Sequence, residues 1–246
     1  MKNRGGILPL LVVAAALSAL PLRADDIIDN LTHFNTGVGT PSAINSASGK
    51  AIGFKMDALS FELTSVSLRL SVYGSQATDV PIVQIWSATL SGSTYVPGAV
   101  VASFDNPTFT YLPNSVASPT TNAAFTNYTF SLSASNPTVT LSANTAYFLV
   151  VSGQLNVNGA AAYWGNGSPT VAPTGANAVL TNVVFGANAN PATWNSSSSN
   201  YNWFEIDGTA LAVPEPSTWA FLGLGGGIAL LGLRSVRRRA EAGTGA

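Results

Sequence analysis

The 246-residue chain contains no cysteine and only one histidine, His33. Without thiols, it can form neither a disulfide framework nor a thiolate metal site. A hydrolytic triad would need His33 as its base, and no Gly-x-Ser-x-Gly nucleophile motif accompanies it. Phosphate-binding and dinucleotide-binding glycine motifs are missing as well. These absences argue against the common catalytic chemistries, and we expect no enzymatic activity, no catalytic residues and no cofactor.

Charge is also scarce, because only 9% of the residues are charged and the formal net charge is −1. A typical soluble domain has roughly 25% charged residues. The near-zero total is an average over unlike segments: residues 25–213 contain three basic and nine acidic residues, whereas both ends of the chain are basic. The acidic middle segment offers no basic patch, so nucleic acid is not an expected partner.

The first 24 residues have the pattern of a secretory signal peptide. Lys2 and Arg4 precede an apolar run over residues 7–20, and Ala24 is a small residue at the expected cleavage site. The alternative is an uncleaved anchor helix, but the run is short for a span of ~20 residues. We therefore predict export of the chain and cleavage by signal peptidase after Ala24.

A second apolar segment, residues 217–233, lies near the C-terminus and contains no charged residue. As a helix with a rise of ~1.5 Å per residue it reaches about 26 Å, enough to cross a thin hydrocarbon layer. Trp219 fits an anchor at one membrane interface, and an arginine cluster fits the cytoplasmic side. The cluster consists of Arg234, Arg237, Arg238 and Arg239. The pattern predicts a transmembrane helix followed by a short tail, residues 240–246.

Pro214-Glu215-Pro216 stands directly before this apolar segment. The order of Pro-Glu-Pro, apolar run and arginine cluster over residues 213–239 resembles the PEP-CTERM sorting signal. The resemblance implies a bacterial envelope with an outer membrane, an exopolysaccharide-producing lifestyle, and an integral-membrane exosortase that cuts near Pro-Glu-Pro. It also implies that these three residues are a substrate handle, that the helix holds the chain in the membrane before processing, and that the protein ends at the cell surface or in the extracellular matrix.

Between the two signals, strand patterns dominate residues 25–212. Residues 64–73 and 128–133 alternate apolar and polar side chains, as half-buried strands do. The continuously apolar segment 146–151 is typical of a central strand, and residues 83–86, 99–104 and 177–185 are further candidates. No segment has a sustained helical period. The pattern predicts one all-β domain, a β-sandwich or jelly roll.

A further resemblance covers about residues 50–155. Apolar motifs follow one another in order at Phe54, 63–70, 83–85, Pro97-Gly98, 139–141 and 145–152. This order is similar to the choice-of-anchor R domain family, which consists of extracellular bacterial domains that end in one of several sorting signals. The resemblance implies a β-rich surface module, and no catalytic residue carries over from it.

Aromatic residues provide the first candidate binding site. Trp164, Trp194 and Trp203 lie in a region rich in Gly, Asn and Ser. Their flat rings suit stacking on sugar faces, but strand-like alternation around Trp203 equally suits rings that fill the core. Both interpretations remain open, with core packing favoured over a glycan-binding platform.

Carboxylates provide the second candidate. Asp57 with Glu62, or Glu205 with Asp207, could supply the acid and the base or nucleophile of glycoside hydrolysis. On an extended strand, Glu205 and Asp207 share one face, ~6.6 Å apart along the chain. Asp25, Asp26 and Asp29 offer oxygen ligands for Ca²⁺, but without the spacing of a calcium loop. Ordinary surface carboxylates are the favoured interpretation, so no metal site is predicted.

Together, these observations favour an exported bacterial surface or exopolysaccharide-matrix protein whose β-sandwich is structural or adhesive. The main alternative is a carbohydrate-binding module that uses the aromatic residues of the 160–205 region, with exopolysaccharide as its ligand.

Overall fold

The computed structural model describes residues 24–33, 37–45, 48–72, 80–112, 119–136, 138–153, 162–187, 194–196 and 200–211. The predicted signal peptide, apart from Ala24, and residues 212–246 lie outside these ranges, as do the sorting motif, Trp219 and the arginine cluster. Within the described ranges the chain is all-β, which confirms the predicted fold class, and no helix there is long and apolar enough to cross a membrane.

Fifteen strands and two 3₁₀ turns are described. In the first half these are β1 (Ala24–Asp29), a 3₁₀ turn (Leu31–His33), β2 (Gly37–Val38), β3 (Ser42–Ile44), β4 (Ser48–Met56), β5 (Phe61–Val72), β6 (Pro81–Ser91) and β7 (Thr94–Asp105). In the second half they are a 3₁₀ turn (Asn122–Ala124), β8 (Thr126–Leu132), β9 (Thr140–Leu141), β10 (Ala146–Gly153), β11 (Ala162–Trp164), β12 (Gly167–Ser168), β13 (Ala178–Ala187), β14 (Trp194–Ser196) and β15 (Phe204–Ala210).

Thirteen of the strands form one nearly closed sheet, in which ten follow the order β1-β15-β5-β8-β7-β6-β10-β4-β13-β14. Of the other three, β9 and β11 pair with β5, and β3 pairs with β11. β12 pairs with β2 separately. The pairing of β7 with β8, at Phe104 opposite Leu132, joins the two halves of the sheet. All the pairings are antiparallel, so one face of each half can pack inward.

The main core lies between the two halves of the sheet. Val66 and Phe130 come from the half that contains β5, and Phe54 and Leu149 come from the half that contains β10; all four are fully buried. Apolar residues alternate with polar ones along β8, which sends every second side chain inward. β10, buried along its whole length, has the position predicted for a central strand, between β6 and β4.

The first strand, β1, pairs with the last strand, β15, along its length and forms one edge of the sheet. Ala24 lies opposite Thr209, and β15 in turn pairs with β5. A crossing segment, residues 171–177, covers the free edge of β1, because Asp29 and Thr174 exchange backbone hydrogen bonds of 2.8 and 2.9 Å. Gly175 packs so closely on the carbonyl oxygen of Ile27 that no side chain fits between them. The N-terminal strand is therefore held from both sides.

Candidate functional site

Three carboxylates meet where the first and last strands pair. Glu205 and Asp207 project from the same face of β15, as the strand geometry predicts, and Asp26 of β1 lies opposite Asp207 in the register. One carboxylate oxygen of each residue lies within 4.8 Å of the others. Ser65 of β5 donates a hydrogen bond of 2.8 Å to Asp207. We call Asp26, Glu205 and Asp207 the carboxylate cluster.

The surroundings of the carboxylate cluster favour protonation. Burial, followed by the negative charges of Asp207, Asp26 and Asp29, raises the pKa of Glu205 to about 7. Burial also raises the pKa of Asp207, although the hydrogen bond from Ser65 acts in the opposite direction. Like charges at this distance disfavour simultaneous ionisation, so the cluster can retain a proton near neutral pH.

A cleft of about 600 Å³ adjoins the carboxylate cluster. It is lined by Asp25, Asp26, Asp29, Thr32, Thr174, Gly175, Ala176 and Asn177. Both carboxylate oxygens of Asp29 are engaged locally, since they accept hydrogen bonds from the backbone of Leu31 and the hydroxyl of Thr32. Because both oxygens bind these local donors, Asp29 is better described as a cap of the 3₁₀ turn than as one of the six to eight oxygen ligands that Ca²⁺ requires. The side chains of Glu205 and Asp207 do not line this cleft.

Two of the three candidate tryptophans are fully buried. Trp164, at the end of β11, donates a hydrogen bond of 2.8 Å from Nε1 to the carbonyl oxygen of Trp203. The Trp203 ring packs edge-on against Phe125 at 6.2 Å and lies 5.6 Å from the Arg69 guanidinium. Neither ring presents a face to solvent, so the interpretation as a glycan-binding platform does not fit Trp164 or Trp203, and core packing describes them both.

Trp194, by contrast, is only partly buried, on edge strand β14. It packs edge-on against Trp86 of β6 at 6.4 Å and belongs to a second apolar cluster. The cluster consists of Ala51, Trp86, Phe148, Val150 and Val184, with Ala88, Tyr95 and Trp194 packed against it. Phe148 stands between core residues Tyr147 and Leu149, so this cluster covers the opposite face of the sheet. The sequence pattern places Trp86 in the predicted strand 83–86 but does not identify it as a candidate site residue, although its position directly after core residue Ile85 places it on that face.

Lys50 of β4 is a buried cation that the sequence does not reveal. Its Nζ donates a hydrogen bond of 2.5 Å to the carbonyl oxygen of Asn200 and one of 3.4 Å to Ser42 Oγ. Burial lowers the pKa of Lys50 to about 8. The side chain thus ties the segment before β15 to β3 and β4, which is a structural task.

The end of β15 is fixed to a network of two turns. The backbone N–H of Leu211 donates to the carbonyl oxygen of Ser60 at 2.9 Å, and Ser60 Oγ accepts a hydrogen bond from the N–H of Ala143, also at 2.9 Å. Asn144 N–H donates to the carbonyl oxygen of Asp57 at 2.8 Å. We call the two turns, residues 57–60 and 142–145, the rim. Pro214 follows only three positions after Leu211, outside the described residues.

Comparison with known proteins bears on the segment that follows the rim. Residues 212–239 match the family model of the PEP-CTERM protein-sorting motif. No curated protein and no solved structure matches the chain. The predicted resemblance to the choice-of-anchor R family therefore stays a prediction. The matched motif implies an exported, envelope-associated protein that is processed by an exosortase.

Proposed function

We propose that the β-domain is a non-enzymatic structural or adhesive component of the cell surface or exopolysaccharide matrix. Signal peptidase would remove residues 1–24, and the helix with Trp219 at one end and the arginine cluster at the other would hold the chain in the membrane. An exosortase would then cut near Pro214-Glu215-Pro216. The observation that carries this proposal is the PEP-CTERM match over residues 212–239, directly after the last strand.

The described side chains agree with a passive role. Trp164 and Trp203 fill the core, and Lys50 binds backbone and hydroxyl oxygens. The carboxylate cluster sits beside a cleft that Glu205 and Asp207 do not line. The predicted resemblance of residues 50–155 to choice-of-anchor R domains would imply the same placement at the cell surface.

Replacement of Pro214, Glu215 and Pro216 by alanine tests the proposal. In cells that contain the processing enzyme, we expect the full-length membrane form to accumulate and the released or transferred form to disappear. Glu241→Ala is the matched control, because it removes an acidic residue beyond the motif. The proposal is wrong if the triple variant is processed and located like the unaltered protein.

Glycan binding is the second candidate function, and Trp194 is the residue that supports it. This ring is only partly buried and packs edge-on against Trp86, a geometry that leaves aromatic surface for a sugar. Tryptophan fluorescence titrated with the producing organism's exopolysaccharide should then shift in the unaltered protein and not in Trp194→Ala. Equal responses, or none at millimolar sugar, would contradict glycan binding at this cluster.

A further inference from the structure

The short connection between β15 and the sorting motif limits the distance from the folded domain at which an enzyme can bind the motif. Consecutive Cα atoms are ~3.8 Å apart, so Pro214 lies at most about 11 Å from the hydrogen-bonded Leu211, whatever conformation the intervening residues adopt. A single α-helix with its side chains is ~10–12 Å wide. An enzyme that encloses Pro214-Glu215-Pro216 must therefore approach the folded domain to within about one helix diameter.

Detaching the end of β15 would lengthen the connection to the sorting motif, but this would cost free energy. After removal of residues 1–24, Gly208 still pairs with Asp25 on one side and with Leu63 on the other. Thr209 and Ala210 pair with β5. Leu211 adds its hydrogen bond to Ser60. Peeling these residues away would break pairing with two strands at once, which costs backbone hydrogen bonds and burial.

We propose that the rim is an interaction surface for the processing enzyme, in contact with it while the enzyme holds Pro214-Glu215-Pro216. This inference rests on the proposed function. Asp57, Ala58 and Leu59 are exposed at the rim, and Leu59 keeps 40% of its surface accessible. The two rim turns contain small and polar residues, one exposed leucine and no lysine or arginine. The exposed leucine surrounded by polar residues matches the apolar centre and polar edge of a protein interface, whereas attraction to anionic lipid needs basic residues.

Leu59→Asp in the full-length chain tests the contact. An unpaired charge in a desolvated interface is unfavourable, so we expect processing in producing cells to slow by about tenfold. Tyr111→Asp is the matched control: Tyr111 is 39% exposed and adjoins Leu112, which binds the far end of β5 at Val72. The twelve residues of β5 separate the two ends by about 36 Å. Processing of this control should be unchanged.

A spacer distinguishes a rim contact from damage to the fold. About 12 Gly and Ser residues inserted between Leu211 and Ala212 add ~20 Å of average reach. The spacer should restore the processing rate of Leu59→Asp, because the rim then no longer has to meet the enzyme. Thermal denaturation of purified Leu59→Asp should match that of the unaltered protein, since the side chain is exposed.

The outcomes separate this inference from the proposed function. Processing of Leu59→Asp at the unaltered rate, while the triple alanine variant at 214–216 is blocked, would overturn the rim contact alone. Processing of the triple variant itself would overturn the proposed function. A photo-crosslinking residue at position 59 should form a crosslink to the processing enzyme itself. Crosslinks to lipid alone would contradict the choice of partner.

Discussion

The two buried tryptophans make a matched pair for testing how the core is built. Trp164 and Trp203 are both fully buried, but their indole nitrogens differ. Trp164 Nε1 donates to the Trp203 carbonyl oxygen at 2.8 Å, whereas Trp203 Nε1 is buried with no hydrogen-bond partner among the described residues. Phenylalanine at either position removes the same part of the ring together with its N–H group.

The shared loss of ring atoms resembles a large-to-small core substitution, which costs about 2–5 kcal/mol. Trp164→Phe also loses a hydrogen bond worth about 1 kcal/mol, although the Trp203 carbonyl keeps a second donor, the N–H of Arg69, at 3.3 Å. Trp203→Phe loses no hydrogen bond and instead removes an unpaired buried donor, whose burial costs about 1–3 kcal/mol. We therefore expect Trp164→Phe to be the more destabilising of the two by roughly 2 kcal/mol.

Urea denaturation of the two purified variants and the unaltered protein, followed by fluorescence and circular dichroism, measures this difference. Exposed Tyr111→Phe serves as the control and should change the free energy of unfolding little. Equal destabilisation by the two tryptophan variants, or a larger loss for Trp203→Phe, would refute the reasoning. Loss of less than about 0.5 kcal/mol at both positions would show that neither ring belongs to the core.

Two further predictions concern the contacts on the two sides of β1. The pKa of Glu205 is raised from 4.5 to about 7 in the folded state, so stability is greatest below pH 4.5 for this group and falls as pH rises towards 7. Glu205→Gln should therefore flatten the decline of Tm across this window, and equal pH slopes for both proteins would contradict the carboxylate cluster. Gly175→Ala should destabilise the protein by about 1–3 kcal/mol, because a Cβ there overlaps the Ile27 carbonyl oxygen. Gly37→Ala is the control, because the atom nearest to an added Cβ there lies 3.4 Å away. Similar denaturation midpoints for the two variants would contradict close packing of residues 171–177 on β1.

Local sequence patterns were sufficient to predict the central strands. Alternation over residues 64–73 identifies β5, and the apolar segment 146–151 identifies β10, each within a few residues of its observed bounds. Such periodic signals need no knowledge of distant residues, because they arise from which face of a strand is buried. The all-β class followed from them.

The arrangement of the candidate site could not be predicted in the same way. Asp26 meets Asp207 only because the first and last strands pair, across almost the whole domain. The shared face of Glu205 and Asp207 was predictable from strand geometry, but the third carboxylate was not. Burial of Lys50 is likewise a tertiary effect. The strand-like alternation around Trp203 favours core packing of its ring but is equally compatible with an exposed ring, and only the tertiary structure shows that the ring is buried.

The rim contact and the surface role both depend on one claim: that the chain is exported and cut at its sorting motif. The intact mass of the protein recovered from the envelope and from the medium tests this claim most directly. The account predicts a species that begins at Asp25 and ends near Pro214. A mature protein whose mass still includes residues 217–246 would contradict it and would describe a permanently anchored membrane protein instead.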